Sequence, residues 1–244
     1  MQYNNTTTKA GIIQMIEQTT NIGDGQISGN ATSFAYFSNL VNQWYRICAY
    51  FAWKVDKNWS FDDNNQTTFP QATTTIVNNQ RDYSIPSTDL RLKQVEVMQS
   101  NGDYYTLQYI PEYSDLFNTQ KEQEEAGLPT HYRLLGNSLI LYPKPDTSVV
   151  TATDGLRIST DREVSAFTVS DTTKEPGFAK QFHPILYYGP CLEWSMIKGN
   201  VGVEKICTRM LGGFPGLSEM MSDFYSERNQ STINSIQREN KHYY

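Results

Sequence analysis

Three histidines, His131, His183 and His242, are the side chains in this 244-residue chain whose ordinary titration range reaches neutral pH. None stands at a metal-ligand spacing from another. Cys48, Cys191 and Cys207 are too far apart to form a Cys-x-x-Cys pair, so no zinc site is expected. His131 opens a strand-like run and His183 falls in a helical one, so both read as ordinary surface or partly buried histidines. A Ser-His-Asp triad assembles in space and would leave no spacing signal, yet the Gly-x-Ser-x-Gly elbow that marks one class of hydrolase is absent. Carboxylates crowd at Glu112, Asp115, Glu122, Glu124 and Glu125. Glycoside hydrolysis needs two carboxyl groups in unlike environments, one raised in pKa by burial. This cluster lies in a polar run and reads as a solvated face. Gly23-Asp24-Gly25 and Gly212-Gly213 lack both the Lys-Ser/Thr of a P-loop and a preceding strand, so they read as a linker and a helix break. Trp44, Trp53 and Trp194 fall in helical runs and read as core, which leaves Trp59 in a loop. The expected reading is a protein that is not an enzyme, with no catalytic residue, no cofactor and no metal.

The elements that would carry these residues follow from periodicity. Phe34, Phe37, Val41, Trp44, Cys48, Phe51 and Val55 recur at alternating steps of three and four, one continuous face of a helix about 33 Å long. A helix this apolar needs partners, so it predicts a bundle. A short helix is expected over Thr8–Gln18, with threonines as caps, and Asn21–Asn30 as a glycine-rich loop. Helical spacing returns from Phe178 through Ile197, then over Val201–Leu211 and Leu217–Tyr225. Between the two helical parts the pattern is that of strands, over Thr73–Val77, Arg81–Ile85, Leu92–Met98, Tyr104–Tyr109, Gly155–Ser159 and Ala166–Val169. Residues 111–126 read as a polar helix. The expected class is α+β: a discontinuous helical bundle from residues 1–65 and 171–228, an inserted antiparallel β-rich module over 66–170, and a C-terminal arm at 229–244.

Composition narrows the partners. The chain is 38% hydrophobic but 13% aromatic, with 16 Tyr and 11 Phe, and only 19% charged. Its polar surface is therefore rich in amides and hydroxyls, suited to wet contacts with proteins or glycans. A net charge of −6 argues against a chain that coats nucleic acid, because neutralising phosphates takes clustered Lys and Arg. Arg228, Arg238 and Lys241 are too sparse for such a patch. An acidic wall can still stand beside passing DNA without gripping it. The three cysteines sit in apolar helical runs and read as reduced, buried thiols. The N-terminus has no charged-then-apolar leader, and no apolar run reaches the ~20 residues a membrane span needs, so a soluble, intracellularly made protein is expected.

The most distinctive local signal is GLPTHYRLLGNSLILYPKP, residues 127–145. Runs His131–Leu135 and Ser138–Tyr142 flank Gly136-Asn137, a hairpin signature, and prolines stand where pairing must stop. Pro129, Tyr132, Gly136, Leu139, Leu141 and Pro143 form this scaffold. The order Tyr83-Ser84-Ile85-Pro86, Asp89, a strand pair, Gly127-Leu128-Pro129 with Tyr132, then Gly136–Pro143 and Pro145, set between helical ends, resembles the head-to-tail adaptor (connector ring) proteins of tailed bacteriophages. The likeness is to those of short-tailed phages and their crAss-like relatives, over roughly residues 31–225.

The resemblance implies a structural virion protein at the head–tail junction. It would be one of a ring of copies, commonly twelve, that sits below the portal, extends the DNA channel and docks the tail. The partners it implies are further copies of the chain, the portal, tail or further ring proteins, and passing DNA. It also places the C-terminal arm against the portal, with Ile233, Ile236, His242, Tyr243 and Tyr244 as its contacts. Two other classes fit the composition: a glycan- or receptor-binding tail module, and a tail-associated peptidoglycan hydrolase.

Overall fold

The computed structural model describes residues 1–56, 71–111, 125–213 and 216–227. The chain forms two compact units, Met1–Thr67 with Val164–Tyr244, and Thr68–Glu163. The change of unit thus falls at Val164, ahead of the expected 171. The class is the expected one: a helical unit drawn from both ends of the chain, with a β-rich unit contiguous in sequence between them.

The helical unit holds α1 (Ile12–Thr20), α2 (Ala31–Val55), α3 (Ile185–Lys198), α4 (Val201–Gly212) and α5 (217–227). Threonine does not cap α1. Its N-cap is Gly11, and the free N–H groups of Ile12 and Ile13 donate instead to the carbonyls of Gln2 and Tyr3 at 3.0 and 3.1 Å. α2 is capped by Asn30, whose side chain accepts from the Ser33 N–H at 3.0 Å.

On α2 the alternating spacing holds at one end and drifts at the other. Phe34, Phe37, Val41 and Cys48 are buried, Trp44 and Val55 are half-buried, and Phe51 is 44% exposed. A 3.5-residue pattern on a 3.6-residue helix turns by about 20° per heptad, so after three heptads the stripe has moved by about 60°. The buried seam follows the helix, through Tyr45, Ala49 and Ala52. Phe51 is left on the outside.

The returning chain closes over this seam. Phe167 stacks between Tyr3 and Tyr45, with ring centroids at 4.6 and 5.0 Å. The Asn42 amide binds the same residue twice, accepting from the Phe167 N–H at 2.8 Å and donating to its carbonyl at 2.9 Å. The expected strand at Ala166–Val169 is therefore absent: its backbone groups pair with a helix side chain rather than a ladder. Tyr3 also hydrogen-bonds Ser38, and the Tyr45 hydroxyl accepts from the Gly177 N–H at 2.8 Å.

α3 lies across α2 at Gly189. A Cβ on Gly189 would fall 2.1 Å from the Trp44 ring, and the Trp44 indole N–H donates to Glu193, one turn on, at 2.7 Å. Gly189→Ala should accordingly lower stability by ~1–3 kcal/mol through overpacking. Urea denaturation followed by tryptophan fluorescence reads the change.

The insert holds two four-stranded sheets and a two-stranded ladder. The first sheet runs β1 (Gln71–Thr74), β10 (Leu156–Arg162), β3 (Asp89–Met98), β4 (Tyr104–Thr106), all antiparallel. The second runs β2 (Asp82–Ser84), β8 (Ser138–Tyr142), β7 (His131–Leu135), β5 (Gln108–Tyr109), the last pair parallel. Tyr104–Tyr109 is thus not one strand. The buried Leu107 still donates to Val95, at 2.8 Å, and the next N–H, of Gln108, donates to Thr130 at 3.0 Å, so the chain changes sheets between them. The hairpin pairing ends at Tyr142, ahead of Pro143, and strand β6 (Ala126–Gly127) then pairs in parallel with β9 (Lys144–Pro145), so Pro145 lies in a ladder rather than outside one. The other residues of the expected polar helix, apart from Pro111 and Glu125, lie outside the described residues. Hairpin β7–β8 has the expected strands, with φ of 58° at Gly136. Tyr132, Leu139 and Leu141 are buried in the insert's core with Val95, Val97 and Leu156.

Candidate interaction surfaces

His183, the cysteines and Glu17 are buried and used internally. His183 is fully buried just ahead of α3, not at the surface. Its Nε2–H donates to the Phe178 carbonyl at 2.9 Å, which leaves Nδ1 to accept from the Met1 ammonium at 2.8 Å. Burial, then the adjacent ammonium, pushes its pKa down to about 4. Glu175, 3.8 Å from the ammonium and 3.2 Å from Lys180, faces the same site. An unfolded histidine titrates near ~6.5, so between about pH 6.5 and 4 the unfolded chain binds a proton that the folded chain refuses. Stability is whole above that window and should fall by ~3 kcal/mol on acidification to pH 4. Urea midpoints across this range measure it, and His183→Gln should flatten the slope. His131 is half-buried, with Nδ1 2.8 Å from the Thr130 hydroxyl.

All three cysteines are buried and free. Burial raises the Cys48 thiol to about 12, and a shared hydrogen bond with Cys207 holds Cys191 protonated. Among the described residues no three His, Cys, Asp or Glu side chains converge as a metal site. Of the carboxylate cluster, Glu112, Asp115, Glu122 and Glu124 lie outside the described residues, as does Trp59.

The glycine-rich loop is not a linker. Glu17 on α1 is buried and accepts from the N–H groups of Gly25, Ile27 and Ser28 at 3.1, 2.9 and 2.7 Å. The loop does cradle an anion, and the anion is the chain's own carboxylate. The Ile27 side chain of the loop is buried in the helical core.

What remains available is apolar surface. Ile47, Tyr50 and Phe51 lie at one-turn spacing on the outer side of α2, 42, 62 and 44% exposed. Met196 and Ile197 on α3, Val201, Ile206 and Met210 on α4, and Met220 and Phe224 on α5 are also exposed. Periodicity alone assigned Phe51 to the inward stripe. A groove of about 490 Å³ opens near the start of α2, lined by Ile22, Ile27, Tyr36, Phe37, Trp194 and Ile197. Single exposed apolar residues are ordinary, whereas large contiguous apolar patches are the ones that mark interaction surfaces. The arm residues Ile233, Ile236, His242, Tyr243 and Tyr244 lie outside the described residues. Among the described residues no helix is long and apolar enough to cross a membrane.

No curated protein matches the chain. A family model described as SU10 adaptor protein matches residues 37–200, from the second turn of α2, through the whole insert, to just past the end of α3. The match therefore takes in both the insert and the helices that flank it in sequence, and the chain belongs to the SU10 adaptor protein family of bacteriophage head-to-tail adaptors.

Proposed function

We propose that this phage adaptor assembles as a homo-oligomeric ring, of twelve copies as in the connector rings it resembles, beneath the portal. The ring extends the DNA channel and presents a docking surface for the tail. The observation that carries this reading is the set of large apolar side chains on the outer faces of the helical unit, with Ile47, Tyr50 and Phe51 on α2 foremost. A monomer gains nothing from exposing them, whereas neighbouring copies in a ring would bury them. The net charge of −6 suits a lumen that DNA passes without sticking. In this reading the arm, residues 229–244, carries Ile233, Ile236, His242, Tyr243 and Tyr244 to the portal.

Negative-stain imaging of the chain mixed with its virion's portal tests the proposal. A ring capping the portal is expected. A chain that stays single and leaves the portal bare overturns it, as does a virion with one copy at the tail tip. Ile47→Asp combined with Tyr50→Asp should abolish the ring while leaving the circular dichroism spectrum intact. Removal of residues 229–244 should give a folded protein that no longer binds portal.

A further inference from the structure

The insert contains a cleft of about 630 Å³ in which Asp89, Arg91, Tyr109, Tyr132 and Asn137 meet. We propose that it binds a neutral oligosaccharide. This is independent of ring formation, since every residue named belongs to residues 68–163.

The size is that of a small-ligand site and could take two or three sugar rings. Its aromatic wall has two parts. Tyr132 is buried to its rim, and Tyr109 is 55% exposed, tilted 57° from it with centroids 5.6 Å apart. An exposed tyrosine face held by a second ring offers a flat apolar surface with wet edges. A pyranose ring has the matching form, with C–H bonds on one face and hydroxyls around the rim.

Polar groups at the rim are unspent. Among the described residues neither the Asp89 carboxylate nor the Asn137 amide has a side-chain hydrogen-bond partner. Both are planar groups of the kind that take adjacent hydroxyls in pairs, Asp89 as acceptor and Asn137 as acceptor and donor. Arg91 is pinned, its Nε donating at 2.8 Å to Asp161, a buried carboxylate that Lys93 also holds at 2.7 Å. The backbone places these groups firmly: Asp89 begins β3, and Asn137 sits in the tight β7–β8 turn, its carbonyl accepting from the Ile85 N–H at 2.8 Å. A preformed site loses little entropy on binding.

Charge selects among ligands. The unpaired Asp89 disfavours phosphate, sulfate and nucleic acid, while Arg91 in the same wall disfavours a cation. An uncharged polyol with one apolar face is what both tolerate.

The full-length chain is to be titrated, by calorimetry and saturation-transfer NMR, with maltotriose, cellotriose, mannotriose and chitotriose, and with a heparin tetrasaccharide as polyanionic counterpart. Saturable binding of at least one neutral trisaccharide is expected, weakened at least tenfold by Tyr109→Ala and at least fivefold by Asp89→Asn. The proposal is overturned if no neutral sugar saturates, if Tyr109→Ala binds as the parent does, or if the heparin fragment binds in preference. Tyr109 is exposed and its removal costs only its contact with Tyr132, so the variant should keep the circular dichroism spectrum of the parent. Should that variant misfold, Asn137→Ala decides the question instead, with a fivefold loss expected and unchanged affinity overturning the proposal.

Discussion

Replacing Glu17 by alanine should lower the unfolding free energy by about 4 kcal/mol, the largest effect expected of a single polar substitution in this chain. The carboxylate accepts three backbone N–H groups from a loop that has few other ties. The loop's own turns are the Gln26, Gly29 and Asn30 N–H groups donating to Gly23, Gly25 and Ile27, at 3.3, 2.9 and 3.1 Å. These do not replace the three lost bonds, and the Ile27 N–H is left buried without an acceptor. Hydrogen bonds to a charged acceptor each contribute roughly 1.5–3 kcal/mol, and partial access of water to the loop lowers the sum. Glu17→Gln keeps one oxygen but turns an amide N–H toward N–H donors, so it should cost about half as much. Urea denaturation measures both, and hydrogen exchange at Gly25–Ser28 should accelerate in step. A loss below about 1 kcal/mol for the alanine variant would show that the loop holds itself.

The second large effect is expected at Phe167. Phe167→Ala should cost about 3–5 kcal/mol. The ring fills the space between Tyr3 and Tyr45, and two aromatic contacts vanish along with the buried area. Asn42 would still bind the backbone at this position, which hinders the collapse that could fill the void. Denaturant midpoints give the cost, and faster hydrogen exchange along α1 and α2 should locate it. Phe167→Leu, which retains volume without a ring, should recover about half of the loss.

These two sites also show what could and could not be read from the chain. The α2 stripe and the β7–β8 hairpin were legible because each is a local pattern: one face of a helix, and two runs joined by a glycine turn. The closing of the two ends was legible as well, since a helix with so many aromatic residues needs cover. The role of Glu17 was not. Its partners lie eight to eleven residues ahead and are backbone groups, which carry no residue signature. Phe167 looked like part of a strand because it stands among β-branched neighbours, and only the distant Asn42 makes it otherwise. Phe51 was misassigned by a helical drift too small to see in one turn. Leu107 hid a change of sheets inside an unbroken strand-like run. The cleft of Asp89, Tyr109 and Asn137 joins three separate elements, and no spacing in the chain announces it.

The bond between Asn42 and Phe167 spans 125 residues, and this dictates an order of events on the ribosome. At about 5–20 residues per second, α2 emerges on the order of ten seconds before the segment that covers it. During that interval Trp44 and Tyr45 lack the Glu193 and Phe167 that they meet in the fold, whereas residues 71–163 are contiguous and can close as soon as they are out. Protease treatment of nascent chains stalled with residues 1–164 outside the exit tunnel should spare residues 71–111 and 125–163 and cut within α2. The helical frame is the last part to set, and a holdase chaperone would find its target there.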